Sequence, residues 1–273
     1  MSRPKLSIVT PSFNQGRFIE QTILSVLRQD YDNYEYIIMD GGSSDETLEI
    51  VERYSARIAY WESGKDEGQS HAIAKGFSRA TGDLLAYINS DDVYFPGAFS
   101  SVAKAYQQNP NASIYSGAIA IGDAAGRIGK CSVPTAITPF FANHGVFGFG
   151  QPSSFFNAKV YRRIPDVTRS LHMRMDADLM FRLYRERPEA VVVEDLIGYF
   201  RWHPASKSSL AEGRYLDERR HFRESVGMSR TAEILYSSAF KVNRVIAGGY
   251  AKSLFATLRY KGKNVADFWE GRG

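Results

Sequence analysis

The chain has 273 residues, a formal net charge of +4 and one cysteine, Cys131. This length allows a full hydrophobic core, and a single cysteine excludes an intramolecular disulfide framework. No stretch approaches the roughly 18 consecutive apolar residues of a transmembrane helix, and the N-terminus lacks the apolar core of a signal peptide. We therefore expect a cytoplasmic protein that at most lies on a membrane surface.

The positive charge is concentrated near the C-terminus. Residues 229–273 carry eight Lys/Arg and three Asp/Glu, a net +5, whereas residues 1–228 carry 26 and 27, a net −1. A core without excess positive charge argues against nucleic-acid binding. The basic end indicates an anionic surface as its partner.

The first half of the chain alternates strand-like and helix-like segments. Short apolar runs predict strands buried on both faces, and apolar residues at helical spacing between them predict helices. This alternation implies parallel strands joined by right-handed crossovers, and therefore a doubly wound α/β sheet. The predicted strands are 5–10, 34–40, 58–62 and 83–89, and the predicted helices are 18–29, 45–54 and 69–80.

Polar residues stand at the ends of three of these strands. Thr10 ends the first, Asp40 ends the second, and Asp91 and Asp92 follow the fourth. Open α/β sheets bind ligands at the carboxyl ends of their strands, so these residues should face one nucleotide-binding crevice. Two adjacent carboxylates repel each other, which predicts a cation beside them, such as a divalent ion that also holds a phosphate. A solvated turn or a helix N-cap near Pro96 is the alternative.

The second half is less regular. Its predicted strands are 113–120 and 191–201, its predicted helices are 173–187 and 210–226, and a Gly- and Phe-rich loop covers 143–150. We divide the chain into a domain of residues 1–228, with halves 1–112 and 113–228, and a helical tail of residues 229–273.

Several motifs occur in the order found in one enzyme family. They are the opening segment 7–14, the block 40–47, the block 68–83 and the triplet Ser90-Asp91-Asp92. Together they resemble the family-2 inverting glycosyltransferases of the GT-A fold across roughly residues 5–210, which is more specific than any single motif. The resemblance implies a mostly parallel sheet flanked by helices, a nucleotide-sugar donor, and a saccharide or lipid-linked saccharide acceptor.

The resemblance also assigns roles on the donor side. Asp92 would bind a Mg²⁺ or Mn²⁺ ion that bridges the donor's diphosphate, while Asp91 would reach the ribose or a metal-bound water. Asp40 would accept a hydrogen bond from the nucleobase or ribose, and an Asx-turn role in the bend that follows is compatible with this. The remaining residues implied to contact the donor are Thr10, Pro11, Lys75, His203 and Lys207.

Asp176 resembles the carboxylate that this family uses as its catalytic base. It would take the proton from the acceptor hydroxyl as that oxygen attacks the anomeric carbon opposite the diphosphate. A first-turn charge that interacts with the helix dipole is the alternative. Asp178 lies on another face of the helix, and its spacing from Arg182 predicts an intrahelical salt bridge.

Two further segments take their interpretation from the family. Residues 201–208 resemble a loop that folds over the diphosphate, where Arg201, Lys207 and the hydroxyls of Ser206 and Ser208 would suit phosphate oxygens. A solvated basic loop is the alternative. Residues 151–154 would line the acceptor side.

The tail carries apolar residues at helical spacing, with basic residues beside that stripe. Such a basic amphipathic helix is typical of a segment on an anionic membrane surface. Packing against the catalytic domain or a second subunit is equally compatible with the pattern. The stripe consists of Leu235, Ala239, Val242 and Ile246, and Tyr250, Leu254 and Leu258 continue it.

We therefore predict a metal-dependent inverting glycosyltransferase that uses a nucleoside-diphosphate sugar, UDP-linked by resemblance. The family implies bacterial surface-polysaccharide assembly at the inner face of the cell membrane. One alternative is a sugar-nucleotide nucleotidyltransferase, which would carry a Gly-rich phosphate loop where residues 11–16 stand. The other is a catalytically inactive nucleotide-sugar-binding module. The oligomeric state stays open.

Overall fold

The computed structural model describes residues 3–167, 171–207 and 212–271. Nine strands of this part of the chain form one sheet. They are β1 (Leu6–Ser12), β2 (Tyr34–Asp40), β3 (Tyr60–Ser63), β4 (Leu84–Tyr87), β5 (Val93–Tyr94), β6 (Ile114–Gly122), β7 (Ile128–Ser132), β8 (Ser154–Asn157) and β9 (Ala190–Arg201). Their order is β3-β2-β1-β4-β8-β6-β9-β5, with β7 paired to β6.

Helices cover both faces of this sheet and follow it at the C-terminal end. The helices of the first half are α1 (Gly16–Leu27), α2 (Thr47–Arg53), α3 (Gln69–Arg79) and α4 (Ala98–Gln108). Those of the second half are α5 (Pro139–Ala142), α6 (Ala158–Tyr161), α7 (Met175–Glu186), α8 (Glu212–Ser225), α9 (Arg230–Ile246), α10 (Gly249–Tyr260) and α11 (Val265–Trp269). In the described ranges, no helix combines the length and the apolarity needed to cross a bilayer.

The first half has the alternating organisation predicted from its sequence. β1 pairs in parallel with β2 and β4, and β2 pairs in parallel with β3. All seven residues of β1 are buried, because one hydrophobic cluster lies on each face of the strand. Ile8 faces the cluster that includes α1, and Val9 faces the cluster that includes α3.

The second half mixes strand directions. β8 lies antiparallel between β4 and β6, whereas β6 and β9 pair in parallel. The strands β5, β7 and β8 were not predicted, because two to five residues with polar neighbours give too short an apolar pattern. Ser208, for which a phosphate contact was predicted, and the start of the predicted helix at Leu210 lie outside the described residues.

The short strand β5 joins the two halves of the sheet next to the acidic residues Asp91 and Asp92. It follows Asp91 and Asp92 directly and pairs antiparallel with the end of β9, with Val93 opposite Tyr199. The segment after β9 therefore lies beside the acidic residues, although more than 100 residues of chain separate them.

The tail packs on the sheet through both polar and apolar groups. β7 pairs with β6 along one edge, and the Ser253 and Thr257 hydroxyls of α10 accept hydrogen bonds from the backbone N–H groups of Val133 (3.0 Å) and Cys131 (2.9 Å). A free strand edge is a site of unwanted pairing, and α10 covers this one. Val265 of α11 is buried in a small cluster with residues of β6, β7 and β9.

Candidate active site

A cleft of about 750 Å³ opens at the carboxyl ends of β1, β2 and β4. The loop after β3, the beginning of α7 and the segment after β9 complete its wall. This is the edge of the sheet at which the sequence predicted a ligand crevice, because loops that follow parallel strands meet there.

Asp40 ends β2 and organises the loop that follows. Its Oδ2 accepts hydrogen bonds from the backbone N–H of Gly42 (3.0 Å) and Ser43 (2.8 Å) and from the Ser63 hydroxyl (2.6 Å). Its Oδ1 accepts from the Ser43 hydroxyl (2.5 Å), and the residue is 3% exposed. Both oxygens are engaged by the loop. The structure thus favours the Asx-turn interpretation of Asp40 over a direct ligand contact.

The loops after β1 and β2 are tied together at the rim of the cleft. The backbone N–H of Asn14 donates to the Ser43 hydroxyl (2.7 Å), and Oδ1 of Asn14 accepts from the backbone N–H of Ser44 (2.9 Å). Oδ2 of Asp45 accepts from the backbone N–H of Gly16 (2.9 Å), the first residue of α1. The motif of residues 40–47 therefore fixes this rim and positions α1.

Asp66 is a cleft carboxylate that the sequence interpretation missed. It lies beside Gly41, where a Cβ would stand 3.3 Å from the Asp66 carboxylate, and its Oδ1 accepts from the backbone N–H of Gly68 (2.7 Å). Lys65 lines the cleft next to it. The sequence signal for Asp66 was an acidic residue in the loop after a predicted strand, just before the block that begins at Gly68. Asp66, rather than Asp40, presents a carboxylate at this end of the cleft.

Asp91 faces the cleft and contacts an imidazole from the segment after β9. Its Oδ2 lies 3.1 Å from Nε2 of His203, and its side chain is 18% exposed. The His203 ring packs on Phe18 of α1 at a centroid distance of 4.7 Å, which restricts its orientation. A carboxylate oxygen and an imidazole nitrogen are both common ligands of divalent cations.

Asp92 is buried beneath Asp91. Its Oδ1 accepts from the backbone N–H of Arg201 (2.9 Å), and its Oδ2 accepts from the Asn89 amide (3.2 Å). Burial, together with the neighbouring Asp91 charge, raises the pKa of Asp92 well above its usual range. The structure thus brings Asp91, rather than Asp92, to the cleft surface, and the metal-binding role assigned to Asp92 from the sequence stays a prediction.

The guanidinium of Arg201 is occupied inside the protein. It donates to the backbone carbonyls of Asp91 (2.7 Å) and Ala124 (2.8 Å) and to the Gln21 side chain (2.7 Å). Arg201 is 1% exposed, and burial lowers its pKa. The prediction that Arg201 suits phosphate oxygens is therefore wrong for its side chain. Arg201 instead holds the acidic loop against the end of β9.

Lys207 takes part in a chain of hydrogen bonds across the cleft. Its Nζ donates to the side-chain oxygen of Gln69 on α3 (2.8 Å), and the Gln69 amide nitrogen donates to the Asn89 side chain (2.5 Å). Asn89 in turn donates to Asp92. Gln69 and Asn89, which the sequence interpretation did not select, thus link Lys207 to the acidic loop.

Asp176 lies at the beginning of α7 and lines the cleft. Its Oδ1 accepts from the backbone N–H of Ala177 (2.7 Å). Burial raises the pKa of Asp176, while Arg174 and Lys207 oppose this increase. Asp178 instead pairs with Arg182 at 2.9 Å, as predicted for an intrahelical pair. A carboxylate of raised pKa in a cleft has the environment of a general base.

Gln151 is the member of the predicted acceptor segment that reaches the cleft. Both its Oε1 and Nε2 are buried, and neither has a hydrogen-bond partner in the described structure. Ser153 and Ser154 are fully buried, and their hydroxyls bond Ser116 and the Gly150 carbonyl. A buried amide without a partner is costly, so Gln151 is a candidate for binding a polar ligand in the cleft.

Three predicted donor-side residues have different locations. Pro11 lines the cleft. Thr10 is fully buried, and its hydroxyl is hydrogen-bonded to that of Tyr36 (2.9 Å), so it does not line the cleft. Lys75 also lies outside the cleft lining, because its ammonium pairs with Glu62 on β3. The structure therefore corrects the predicted contacts of Thr10 and Lys75.

The charged side chains that line the cleft are of both signs. Asp66, Asp91 and Asp176 face Lys65 and Lys207 among the described lining residues, and the Arg201 guanidinium is turned away. In the described part of the chain, no cluster of three or more His, Cys, Asp and Glu side chains is arranged for a metal ion. The protein would thus supply Asp91 and His203, a donor pair that suits Mg²⁺ or Mn²⁺ when oxygen ligands of a substrate complete the coordination.

Solved structures share this fold. S. aureus TarS (residues 1–349), solved in complex with UDP-GlcNAc, matches with a TM-score of 0.62 and 16% identity over 80% of this chain and 65% of that one. The mannosyltransferase PcManGT from Pyrobaculum calidifontis, solved with GDP-Man and Mn²⁺, matches with a TM-score of 0.61 and 16% identity over 99% and 80%. The fold is the GT-A type of glycosyltransferases, as the sequence predicted.

The family follows from the sequence match. The model of Glycosyl transferase family 2 matches residues 7–179, more than half of the chain. The chain belongs to glycosyl transferase family 2.

Curated relatives have related descriptions. The putative glycosyltransferase EpsE of Bacillus subtilis is 27% identical over 68% of this chain and 68% of its own length. An uncharacterised glycosyltransferase of Mycobacterium tuberculosis is 37% identical, and the match covers 33% of this chain and 35% of that relative. The GalNAc(5)-diNAcBac-PP-undecaprenol β-1,3-glucosyltransferase of Campylobacter jejuni is 31% identical over 36% and 33%.

Proposed function

We propose that this protein transfers a sugar, with inversion, from a nucleoside-diphosphate sugar to a hydroxyl of a saccharide or lipid-linked saccharide. The observation that carries the proposal is the presence of the Asp91 and Asp176 carboxylates in one cleft, with the buried His203 in contact with Asp91. Family membership supplies the reaction class. The UDP-GlcNAc complex of TarS favours a UDP-linked donor.

The nucleoside end of the donor lies at the rim formed by the loops after β1, β2 and β3. Pro11 and Gly41 provide backbone and apolar surface there, and Asp66 provides a carboxylate that accepts hydrogen bonds. Asp40 acts beneath this rim by holding the turn. Backbone-rich rims of this kind bind nucleosides at the switch points of α/β sheets.

The diphosphate lies between Asp91 and the segment after β9. Asp91 and His203 would hold a divalent ion against its oxygens, and Lys207 provides a cation on the other side of the cleft. When bound, such an ion stabilises the negative charge that develops on the leaving diphosphate. Lys207 adds to this stabilisation by exchanging its Gln69 contact for a phosphate oxygen.

Asp176 removes the proton of the attacking hydroxyl. A carboxylate of raised pKa is a stronger base than an ordinary aspartate, and a general base of this type contributes about 10²–10⁴ in rate. Asp176 works in its deprotonated form, so activity rises with pH through its pKa. Because burial raises that pKa, we expect the acidic limb of the pH profile to lie above the range of an exposed aspartate.

The descriptions of two relatives support our proposal for the acceptor and its setting. The Campylobacter relative is described as acting on an undecaprenol-linked saccharide, and a B. subtilis relative, TuaG, is described as a putative teichuronic acid biosynthesis glycosyltransferase. We therefore place the reaction in the assembly of bacterial surface polysaccharide at the inner face of the cell membrane. Gln151, with its two unpartnered polar atoms, is our candidate for binding sugar hydroxyls.

The experiment separates binding from catalysis. UDP-, GDP- and dTDP-sugars are screened with and without Mn²⁺ for thermal stabilisation of the protein and for slow hydrolysis of the sugar. We expect Mn²⁺-dependent stabilisation by UDP-sugars, with the nucleoside diphosphate released. If no nucleotide sugar stabilises the protein with Mg²⁺ or Mn²⁺, the proposal is wrong.

Asp176→Asn tests the base, with Asp178→Asn as the matched control on the same helix. Asp176→Asn should retain donor binding and lose about 10²–10⁴ of the transfer rate. Asp178→Asn should keep the transfer rate, because Asp178 is paired with Arg182. Donor binding without any transfer or hydrolysis in the wild-type protein would favour the alternative of an inactive binding module.

A further inference from the structure

The helices α9 and α10 present an apolar face to solvent. Of the fourteen large hydrophobic residues that are exposed in the described chain, nine lie on these two helices. Ile246 is 81% exposed and Phe255 71%. We name this set the tail surface: Ile234, Leu235, Val242, Val245, Ile246, Tyr250, Leu254, Phe255 and Leu258. We propose that the tail surface binds a membrane that contains anionic lipid.

The orientation of α10 is the opposite of that of an ordinary surface helix. Its polar side chains Ser253 and Thr257 face the sheet and bond the edge of β7, and Gly249 packs closely against Thr135. Its large apolar side chains Leu254 and Phe255 face solvent. An amphipathic helix that merely covers a sheet buries its apolar stripe. The helix α10 therefore packs on the catalytic domain through its other face, while Leu254 and Leu258 of the predicted stripe stay exposed.

An outward apolar face of this size calls for a partner. Exposed large hydrophobic residues that lie singly need no explanation, whereas contiguous ones mark binding or membrane surfaces. On α9 the exposed residues Leu235, Val242 and Ile246 follow helical spacing, so they form one stripe along the helix. Helices with an apolar stripe and basic flanks lie in the plane of a membrane surface.

The charge of the two helices identifies the partner as anionic. Arg230, Lys241, Lys252 and Arg259 are exposed, and the acidic residue of these helices, Glu233, pairs with arginines of α8. A second copy that docked through the same surface would bring these positive charges together, because a two-fold interface is self-complementary. Anionic lipid headgroups instead attract each of them.

The helix α9 also contacts the segment that leads to the cleft. Phe240 packs on Phe141 at a centroid distance of 5.2 Å, and a Cβ on Gly148 would stand 2.6 Å from the Phe240 ring. Tyr236 stacks on His144 at 3.8 Å. The loop of residues 143–150 leads directly into the cleft residue Gln151. This part of the inference rests on the proposed function: membrane contact through α9 places the acceptor side of the cleft near a lipid-linked acceptor.

Vesicle flotation of the purified full chain tests the inference. One set of vesicles contains phosphatidylglycerol and phosphatidylethanolamine, and the other contains phosphatidylcholine alone. We expect binding to the first set that weakens at high salt, and little binding to the second. The triple variant L254Q/F255Q/L258Q should bind about tenfold or more weakly, because three exposed side chains no longer enter the interface.

Two controls make the result decisive. Leu216→Gln replaces an equally exposed leucine on α8 and should leave vesicle binding unchanged. The charge variant K241E/R259E tests the same surface without touching an apolar group, and it should abolish the preference for phosphatidylglycerol. Mn²⁺-dependent hydrolysis of the donor without vesicles should be retained in all variants. If the wild-type protein hydrolyses no donor, that result counts against the proposed function and not against membrane binding by the tail surface.

Three results would overturn the inference. The first is equal binding to both vesicle sets, and the second is unchanged binding in both surface variants. The third is a lipid-free dimer in sedimentation equilibrium that the triple variant converts to a monomer while vesicle binding is absent. That third result would assign the tail surface to a second copy of the chain.

Discussion

Two aspartates at the same edge of the sheet have different environments. Asp40 after β2 has both oxygens bonded by groups of its own loop and is 3% exposed. Asp91 after β4 turns its carboxylate to the cleft beside His203. Both residues are aspartates at the carboxyl end of a parallel strand. They differ in the number of hydrogen-bond donors that surround the carboxylate.

This difference separates a ligand residue from a supporting one. A carboxylate that already accepts four hydrogen bonds gains little from a ligand and loses much if its loop is disturbed. A carboxylate beside one imidazole keeps oxygen lone pairs for a ligand. The comparison predicts that substitutions at Asp91 affect activity and substitutions at Asp40 affect stability.

Asp91→Asn should have the largest effect. Loss of the charge weakens the divalent site, and we expect transfer activity to fall on the order of 10³-fold, or about 4 kcal/mol. The free energy of unfolding should be unchanged or higher, since the Asp91 charge is one cause of the raised pKa of Asp92. Steady-state kinetics and urea unfolding measure both quantities, with the exposed Asp195→Asn as the control. Unimpaired activity would remove Asp91 from the site.

Asp40→Ala should show the converse pattern. Removing the carboxylate leaves two backbone N–H groups of the loop and the hydroxyls of Ser43 and Ser63 without their acceptor. We expect a loss of about 2–4 kcal/mol in the free energy of unfolding. Urea denaturation measures this loss, and the exposed Asp32→Ala should stay near wild type. A variant of normal stability that no longer binds nucleotide would restore the direct ligand role inferred from the motif.

Gln151→Leu sharpens the comparison on the other wall of the cleft. The Oε1 and Nε2 atoms of Gln151 are buried without a hydrogen-bond partner in the described structure. Leucine removes the unpartnered amide, so the free energy of unfolding should rise by about 1 kcal/mol while kcat/KM falls about tenfold. Unfolding curves and kinetics with saturating donor separate the two effects. A drop in both stability and activity would indicate that Gln151 is structural.

Lys75→Met should have the smallest effect. Lys75 pairs with Glu62 at a partly exposed position outside the cleft, and such pairs contribute about 0–1 kcal/mol to stability. We expect KM for the donor to stay within about twofold of wild type. A tenfold rise in that KM would place Lys75 in the donor site. It would also show that an ion pair within the protein does not exclude a side chain from ligand binding.

The sequence was a good guide where local patterns decide the outcome. The strand 34–40 and the helix 69–80 match β2 and α3 to within a residue, and the pairing of Asp178 with Arg182 follows from helical spacing alone. Ordered motifs with the right spacing indicated the GT-A fold and the family, which the comparisons confirm.

Non-local contacts explain the errors. Whether Asp91 or Asp92 faces the cleft depends on the backbone N–H of Arg201, which the pairing of β5 with β9 brings to Asp92 from 109 residues away. Lys75 lies in a family-like block, yet Glu62 from a neighbouring strand captures its ammonium. Asp66 was missed because its one signal, an acidic residue in the loop before Gly68, occurs equally in solvated turns.

The two-residue strand β5 has a consequence for how the protein becomes active during its synthesis. Asp91 is made early, but its partner His203 reaches it after β9 has emerged and paired with Val93 and Tyr94. A nascent chain that ends before residue 203 therefore lacks the contact between Asp91 and His203. Contacts of such long sequence separation form late, because loop closure precedes them. Under the proposed function, donor turnover would therefore begin only after nearly three-quarters of the chain has been translated.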